Sequence, residues 1–135
     1  MTVNFEILHF FAISYNGNHV DIHNNFDFIG YEYKVVNREL ILKWIKRIEE
    51  AEFSKLTLIH TNVSFLNISY DNKDYEFPGD DTCLSEVTFF LSTERETNDE
   101  FIQQSKPNEN DDIIYSFQSE HFIRVGCESI QLITE

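Results

Sequence analysis

Apolar residues recur along this chain at two different spacings, and the change from one to the other marks out the expected elements. In residues 3–15 the odd positions read Val3, Phe5, Ile7, His9, Phe11, Ile13 and Tyr15, an apolar face at period two that predicts one strand, with His9 as a hydrogen-bonded core histidine. Asn16-Gly17-Asn18 is a hairpin signal. Residues 19–23 therefore return as a second strand, with Val20 and Ile22 on the side of Phe11 and Ile13 whichever pair forms the turn. Residues 26–36 alternate more loosely around Gly30, through Tyr31, Tyr33 and Val35, and predict a third strand.

Residues 37–53, NRELILKWIKRIEEAEF, fit the helical period. At ~100° per residue, Leu40, Ile41, Trp44, Ile45, Ile48 and Ala51 share one sector of the wheel, and Glu39, Lys43, Lys46, Arg47 and Glu50 lie opposite. Asn37 is placed to act as N-cap, Glu39 sits in the first turn, and Glu39 with Lys43 forms a well-oriented pair. Burying each large apolar side chain is worth ~1.5–3 kcal/mol, which outweighs such surface pairs. One long amphipathic helix, docked by its apolar face, is predicted.

Downstream, residues 56–60 and 63–70 are strand-like, and a turn at Asn72-Lys73 would pair Tyr70 with Tyr75 and Ile68 with Phe77. Pro78-Gly79-Asp80-Asp81 predicts a loop, and residues 86–92 a strand. Two T-x-x-E boxes, at Thr93 and Thr97, predict a short helix over 98–104. Residues 105–112 are a polar loop; 113–117, 121–125 and 129–133 read as closing strands. The expected fold class is α+β: a single domain over 1–135, with a twisted, mainly antiparallel sheet of about seven to nine short strands and the long helix packed on it.

Composition sharpens the class without naming a reaction. Among 135 residues, 41% are hydrophobic and thirteen are Phe, enough for one real core and incompatible with disorder. The formal charge is -14, from 24 acids against 10 bases, so nucleic acid and anionic membrane surfaces are repelled and a basic protein is attracted. The opening residues lack the basic region of a secretory signal, and no run approaches the ~20 apolar residues that span a bilayer. Cys83 and Cys127 lie far apart outside any CxxC arrangement, as expected of reduced thiols in the cytoplasm.

His19, Asp21 and His23 share the outward side of one predicted strand. Yet His19 and His23 would lie ~13 Å apart along it, too far for one metal ion. Asp71, Asp74, Asp80 and Asp81 lack the spacing of a calcium loop. No nucleophile elbow, phosphate-binding glycine motif or catalytic cysteine context occurs, so catalytic, cofactor-binding and metal residues are not expected.

The acidity is regional. Between Asp71 and Asp112 thirteen acids face three bases, a net -10, while Arg38, Lys43, Lys46, Arg47 and Lys55 put half of all bases on and just after the predicted helix. This profile points to a small cytoplasmic inhibitor of another protein, with an immunity protein for a basic bacterial toxin, such as a nuclease, as the leading expectation. Asp71, Asp74, Asp80, Asp81, Asp99, Glu100, Asp111 and Asp112 are the expected partner-binding acids, with Tyr75 as an aromatic anchor. An acidic secretion-type chaperone is the alternative, and a small-ligand domain or enzyme with a pocket between helix and sheet comes third.

Overall fold

The computed structural model describes residues 1–70 and 77–135. The chain runs β1 (Thr2–Val3), β2 (Glu6–Leu8), β3 (Ala12–Tyr15), β4 (Asn18–Asp21), one helical turn α1 (Ile22–Asn25), β5 (Phe26–Lys34), β6 (Glu39–Lys46), β7 (Lys55–Thr61), β8 (Phe65–Ser69), β9 (Leu84–Leu91), β10 (Asp111–Phe117), β11 (Phe122–Gly126) and β12 (Ser129–Thr134). Two 3-10 turns, Pro78–Thr82 and Ser92–Glu94, interrupt it. Strand accounts for 53% and helix of every kind for 9%, so the α+β expectation gives way to a mostly β protein with no long helix among the described residues.

The predicted helix over residues 37–53 is instead the central hairpin strand β6 and an irregular connection. Leu40, Leu42 and Trp44 are fully buried on one face of β6, and Ile41, Lys43 and Ile45 alternate with them. Leu42 decides the matter. It lies ~200° from Leu40 on a helical wheel and would point away from the core, whereas in a strand it joins Leu40 and Trp44. β6 also pairs with β5 on one side and β7 on the other, and those ladders override the small helix propensity of the local sequence. Asn37, the expected N-cap, sits in the β5–β6 turn, where Arg38 takes a φ of 49° and donates its N–H to the Val35 carbonyl at 3.3 Å.

Two other expectations are corrected. The single strand over residues 3–15 is broken at His9 and Phe10, whose φ values of 51° and 65° fold β2 back on β3 and pair Ile7 with Ile13. His9 is consequently exposed, not a core histidine. A contact distant in sequence holds this turn: the Phe10 carbonyl accepts the Val87 N–H at 2.6 Å. The helix expected over 98–104 is irregular chain, stretched along β9 by the Phe101 ring on Phe90 (4.7 Å between centroids) and by the Gln104 N–H donated to Thr88 Oγ1 at 3.1 Å. The hairpin expected over Asn16-Gly17-Asn18 forms, with Asn16 and Gly17 as the turn pair at φ of 48° and 80° and Tyr15 opposite Asn18. The hairpin expected at Asn72-Lys73 lies outside the described residues.

Three sheets result: β1-β12-β7-β6-β5, β8-β11-β10-β9 and β2-β3-β4. The first two face each other as a sandwich. Trp44 meets Tyr115 at 6.0 Å and Phe28 meets Phe117 at 4.9 Å between ring centroids, and a single apolar cluster runs through both. The small third sheet lies along β9, with Phe5 against Phe89 and the Ile7 N–H donated to the Ser105 carbonyl.

Within the sandwich, His60 is fully buried; its Nδ1 donates to the Leu40 carbonyl at 3.0 Å and its Nε2 accepts the Tyr115 hydroxyl at 2.8 Å. Burial pushes its pKa down to about 4 from the ordinary 6.5, against the opposing pull of the Leu40 and Leu58 carbonyls. The unfolded chain therefore binds a proton at His60 that the folded chain refuses. Its contribution to stability is complete above pH 6.5 and is lost as pH falls toward 4. Between pH 7 and pH 5 the expected loss is about 2 kcal/mol. Urea unfolding at both pH values, compared with His60→Gln, isolates it: the variant should lack that part of the pH dependence.

Candidate functional site

The connection between β9 and β10, residues 92–110, lies across the outward face of the four-stranded sheet. On that sheet Val87, Phe89, Ile113, Tyr115, Ile123 and Val125 face the sandwich interior; Thr88, Ile114 and Arg124, paired side by side across the strands, face outward. These outward residues are buried all the same, because the connection covers them.

Arg124 holds the connection down. Fully buried, it donates from Nε to Asp112 Oδ2 at 2.8 Å, from Nη1 to the Thr97 carbonyl and Asn98 Oδ1, and from Nη2 to the Leu91 carbonyl at 2.9 Å. Arg95 grips the same carboxylate in a fork, Nε to Oδ2 at 2.9 Å and Nη2 to Oδ1 at 2.8 Å, and its Cζ lies over the Phe65 ring, 3.8 Å from the centroid. This grip holds the Arg95 pKa above its ordinary value. Gly126 makes room for the fork: a Cβ there would stand 2.7 Å from Asp112 Oδ1 and 2.8 Å from Arg95 Nη2. Asp111 is also buried, its Oδ2 accepting from the Gln104 side chain at 2.5 Å and from the Asn108 N–H at 2.7 Å.

Beside this anchor the connection and the sheet enclose an acidic cleft of about 580 Å³. Glu96, Asn98 and Asp99 line it from the connection; Ser85 and Glu86 from β9, Ser116 from β10, Glu120 from the tight turn before β11, and Phe122 complete it with Phe117. Register explains the convergence, since Glu86, Ser116 and Phe122 sit side by side on the outward face of three adjacent strands. No lysine or arginine is among the described lining residues. Burial, and then the neighbouring Asp99 charge, raises the Glu86 carboxyl above its ordinary range. A site that raises a carboxyl by such means favours an incoming cation.

The sequence-predicted site residues scatter around this geometry. Asp71, Asp74 and Tyr75 lie outside the described residues. Asp99 lines the cleft, and exposed Glu100 follows it with a φ of 57°. Asp111 and Asp112 are buried and committed to internal partners. Asp80 and Asp81 belong to the 3-10 turn Pro78–Thr82, where Asp81 accepts the Tyr70 hydroxyl at 2.5 Å. That bond, helped by Ser119 and by the His121 ring and opposed by burial, lowers the Asp81 pKa. Glu86, Glu96 and Glu120 were not on the sequence-derived list of partner-binding acids, nor were Arg95 and Arg124 singled out; charge counting registers the acids without showing that they meet.

Asp81, Ser119 and His121 resemble a hydrolytic triad only in composition. Ser119 Oγ lies 2.5 Å and Asp81 Oδ1 3.6 Å from the same ring nitrogen, His121 Nδ1, whereas a relay needs the carboxylate and the hydroxyl on opposite nitrogens. The imidazole stacks on Phe117 at 4.3 Å and meets Tyr70 at 4.7 Å, so the group staples the 3-10 turn to the β10–β11 turn. The thiols are poor nucleophiles: burial raises Cys83 and pushes Cys127 up to about 12, and both are free. His19, Asp21 and His23 do not converge, since Asp21 caps α1 through the Asn24 N–H and His23 Nδ1 donates to the Leu84 carbonyl at 2.7 Å. Among the described residues no group of three or more His, Cys, Asp or Glu is arranged to hold a metal ion, and no helix is long and apolar enough to cross a membrane.

Comparison of the chain with protein-family models, with curated proteins and with solved structures gave no match. The class is therefore defined by architecture and site alone: a β-sandwich carrying an acidic cleft on its outward sheet face.

Proposed function

We propose that this chain is a cytoplasmic protein-binding inhibitor, an immunity-type partner for a basic bacterial toxin such as a nuclease. The single observation that carries the proposal is the convergence of Glu86, Glu96, Asp99 and Glu120 around one cleft floored by Phe122. A cationic side chain of the partner enters this cleft, and the aromatic floor packs against its apolar stem. The carboxylates stand where a nuclease would otherwise hold phosphates, so occupancy blocks the substrate. The net charge of -14 steers the encounter, and the cleft fixes its register.

The test begins with capture at low salt from the native source and identification of a stoichiometric basic partner. With that partner in hand, Glu86→Gln/Glu96→Gln/Asp99→Asn should slow association about tenfold or more and flatten its salt dependence. Stopped-flow association kinetics unchanged by the triple substitution would remove the cleft from the mechanism.

A further inference from the structure

We propose that β5 is a self-association edge, along which two copies of this chain pair antiparallel about a two-fold axis at Tyr33. The proposal is independent of the acidic cleft. β5 is one edge of the five-stranded sheet, and at nine residues it contrasts with the two-residue β1 at the other edge. Its first part packs against α1 and the Pro78–Thr82 turn, and Phe26 there is buried. From Tyr31 onward every residue is exposed: Tyr31 52%, Tyr33 36%, then Val35 75% and Val36 97% in the turn. Tyr31 stands opposite Leu42 and Tyr33 opposite Leu40, so both tyrosines lie on the face that is buried everywhere else in the sheet. The interior face overhangs its cover, next to a strand edge that pairs with no other strand among the described residues.

Charge selects the occupant and the register. A two-fold axis perpendicular to the sheet keeps each side chain on its own face, so one residue must stand opposite itself. Centring on Glu32 opposes two carboxylates, and centring on Lys34 opposes two ammonium groups. Centring on Tyr31 runs the pairing through Gly30, where β5 already shifts register by a bulge. Centring on Tyr33 sets Glu32 of each copy against Lys34 of the other, Tyr33 against Tyr33, and Tyr31 against Val35. Lys34, now 3.6 Å from Glu39 of its own hairpin, would then stand between two carboxylates. The charge of -14 on each copy opposes association at long range, which makes the pair a weak, salt-assisted one.

Sedimentation velocity of the full chain, from micromolar to millimolar protein in about 0.15 M salt, tests this. The wild type should move from monomer to dimer across the series, and the β5 amides should gain hydrogen-exchange protection with concentration. Glu32→Lys and Lys34→Glu should each weaken the dimer about tenfold, and the double exchange should restore it. Both side chains are exposed, so the variants should keep the wild-type urea midpoint within error, and that measurement separates lost pairing from lost folding. A monomer throughout the series, single reversals without effect, or a double exchange that fails to restore the dimer would each overturn the proposal.

Discussion

Replacing Asp112 with alanine should lower the stability of the fold by about 3–5 kcal/mol, enough to remove much of the stability typical of a domain this size. Asp112 is buried and is the one carboxylate that both Arg95 and Arg124 grip. Removing it leaves the Arg124 guanidinium fully buried with neutral acceptors only, the costly half of a broken ion pair. Urea denaturation checks the magnitude, and a loss under 1 kcal/mol would show that the network is not what secures the connection. Arg124→Met in the Asp112→Ala background should recover part of the loss, because it removes the stranded charge. Hydrogen exchange adds a functional readout. In the variant that also carries Arg124→Met, the Thr97 and Asn98 region is freed from the guanidinium and should lose protection, and with it the placement of Glu96 and Asp99 on the cleft wall.

The second large effect distinguishes strand from helix at a single position. Leu42→Ala should cost about 2–5 kcal/mol, as deletion of a fully buried leucine does, while Ile41→Ala on the opposite face should cost markedly less. A helix over residues 37–53 would reverse the order, since Ile41 lies in the helical stripe and Leu42 outside it. Denaturation midpoints of the two variants at one pH suffice. An Ile41 loss exceeding the Leu42 loss would contradict the ladder of β6 with β5 and β7.

The misreading of β6 has a specific origin. In L-I-L-K-W-I-K a helical stripe (Leu40, Ile41, Trp44, Ile45) and a strand face (Leu40, Leu42, Trp44) overlap, with Leu42 alone among the apolar residues outside the stripe, and a local window cannot register that two flanking strands supply ladder hydrogen bonds. The same blindness joined β2 to β3, because His9 and Phe10 carry none of the Gly, Asn or Pro cues that mark a turn. By contrast, Asn16-Gly17-Asn18 signals a hairpin in its own residues, and the hairpin forms, with the structure choosing Asn16-Gly17 as the turn pair. The expected strands at 56–60, 86–92, 113–117, 121–125 and 129–133 correspond to β7, β9, β10, β11 and β12, shifted by no more than two residues at an end.

For the candidate site the division is between amount and arrangement. The acid excess after residue 70 is a property of composition and needs no coordinates. Which carboxylates act together does need them. Asp99 reaches Glu86 and Glu120 because the β9–β10 connection is laid across the sheet, and Asp111 and Asp112 turn inward because Arg95, Arg124 and Gln104 arrive from other segments.

Sequence alone, then, determined the local and additive properties of this protein: most of the period-two strands, a hairpin at Asn16-Gly17-Asn18, one core's worth of apolar residues and a strongly acidic surface. Tertiary structure decided what depends on partners distant along the chain: that Leu42 faces inward, that His9 turns out, that two arginines bind one buried aspartate, and that four carboxylates meet in a cleft. The physical reason is that propensities and charges sum residue by residue, whereas ladders, ion pairs and clefts exist only between segments that folding brings together.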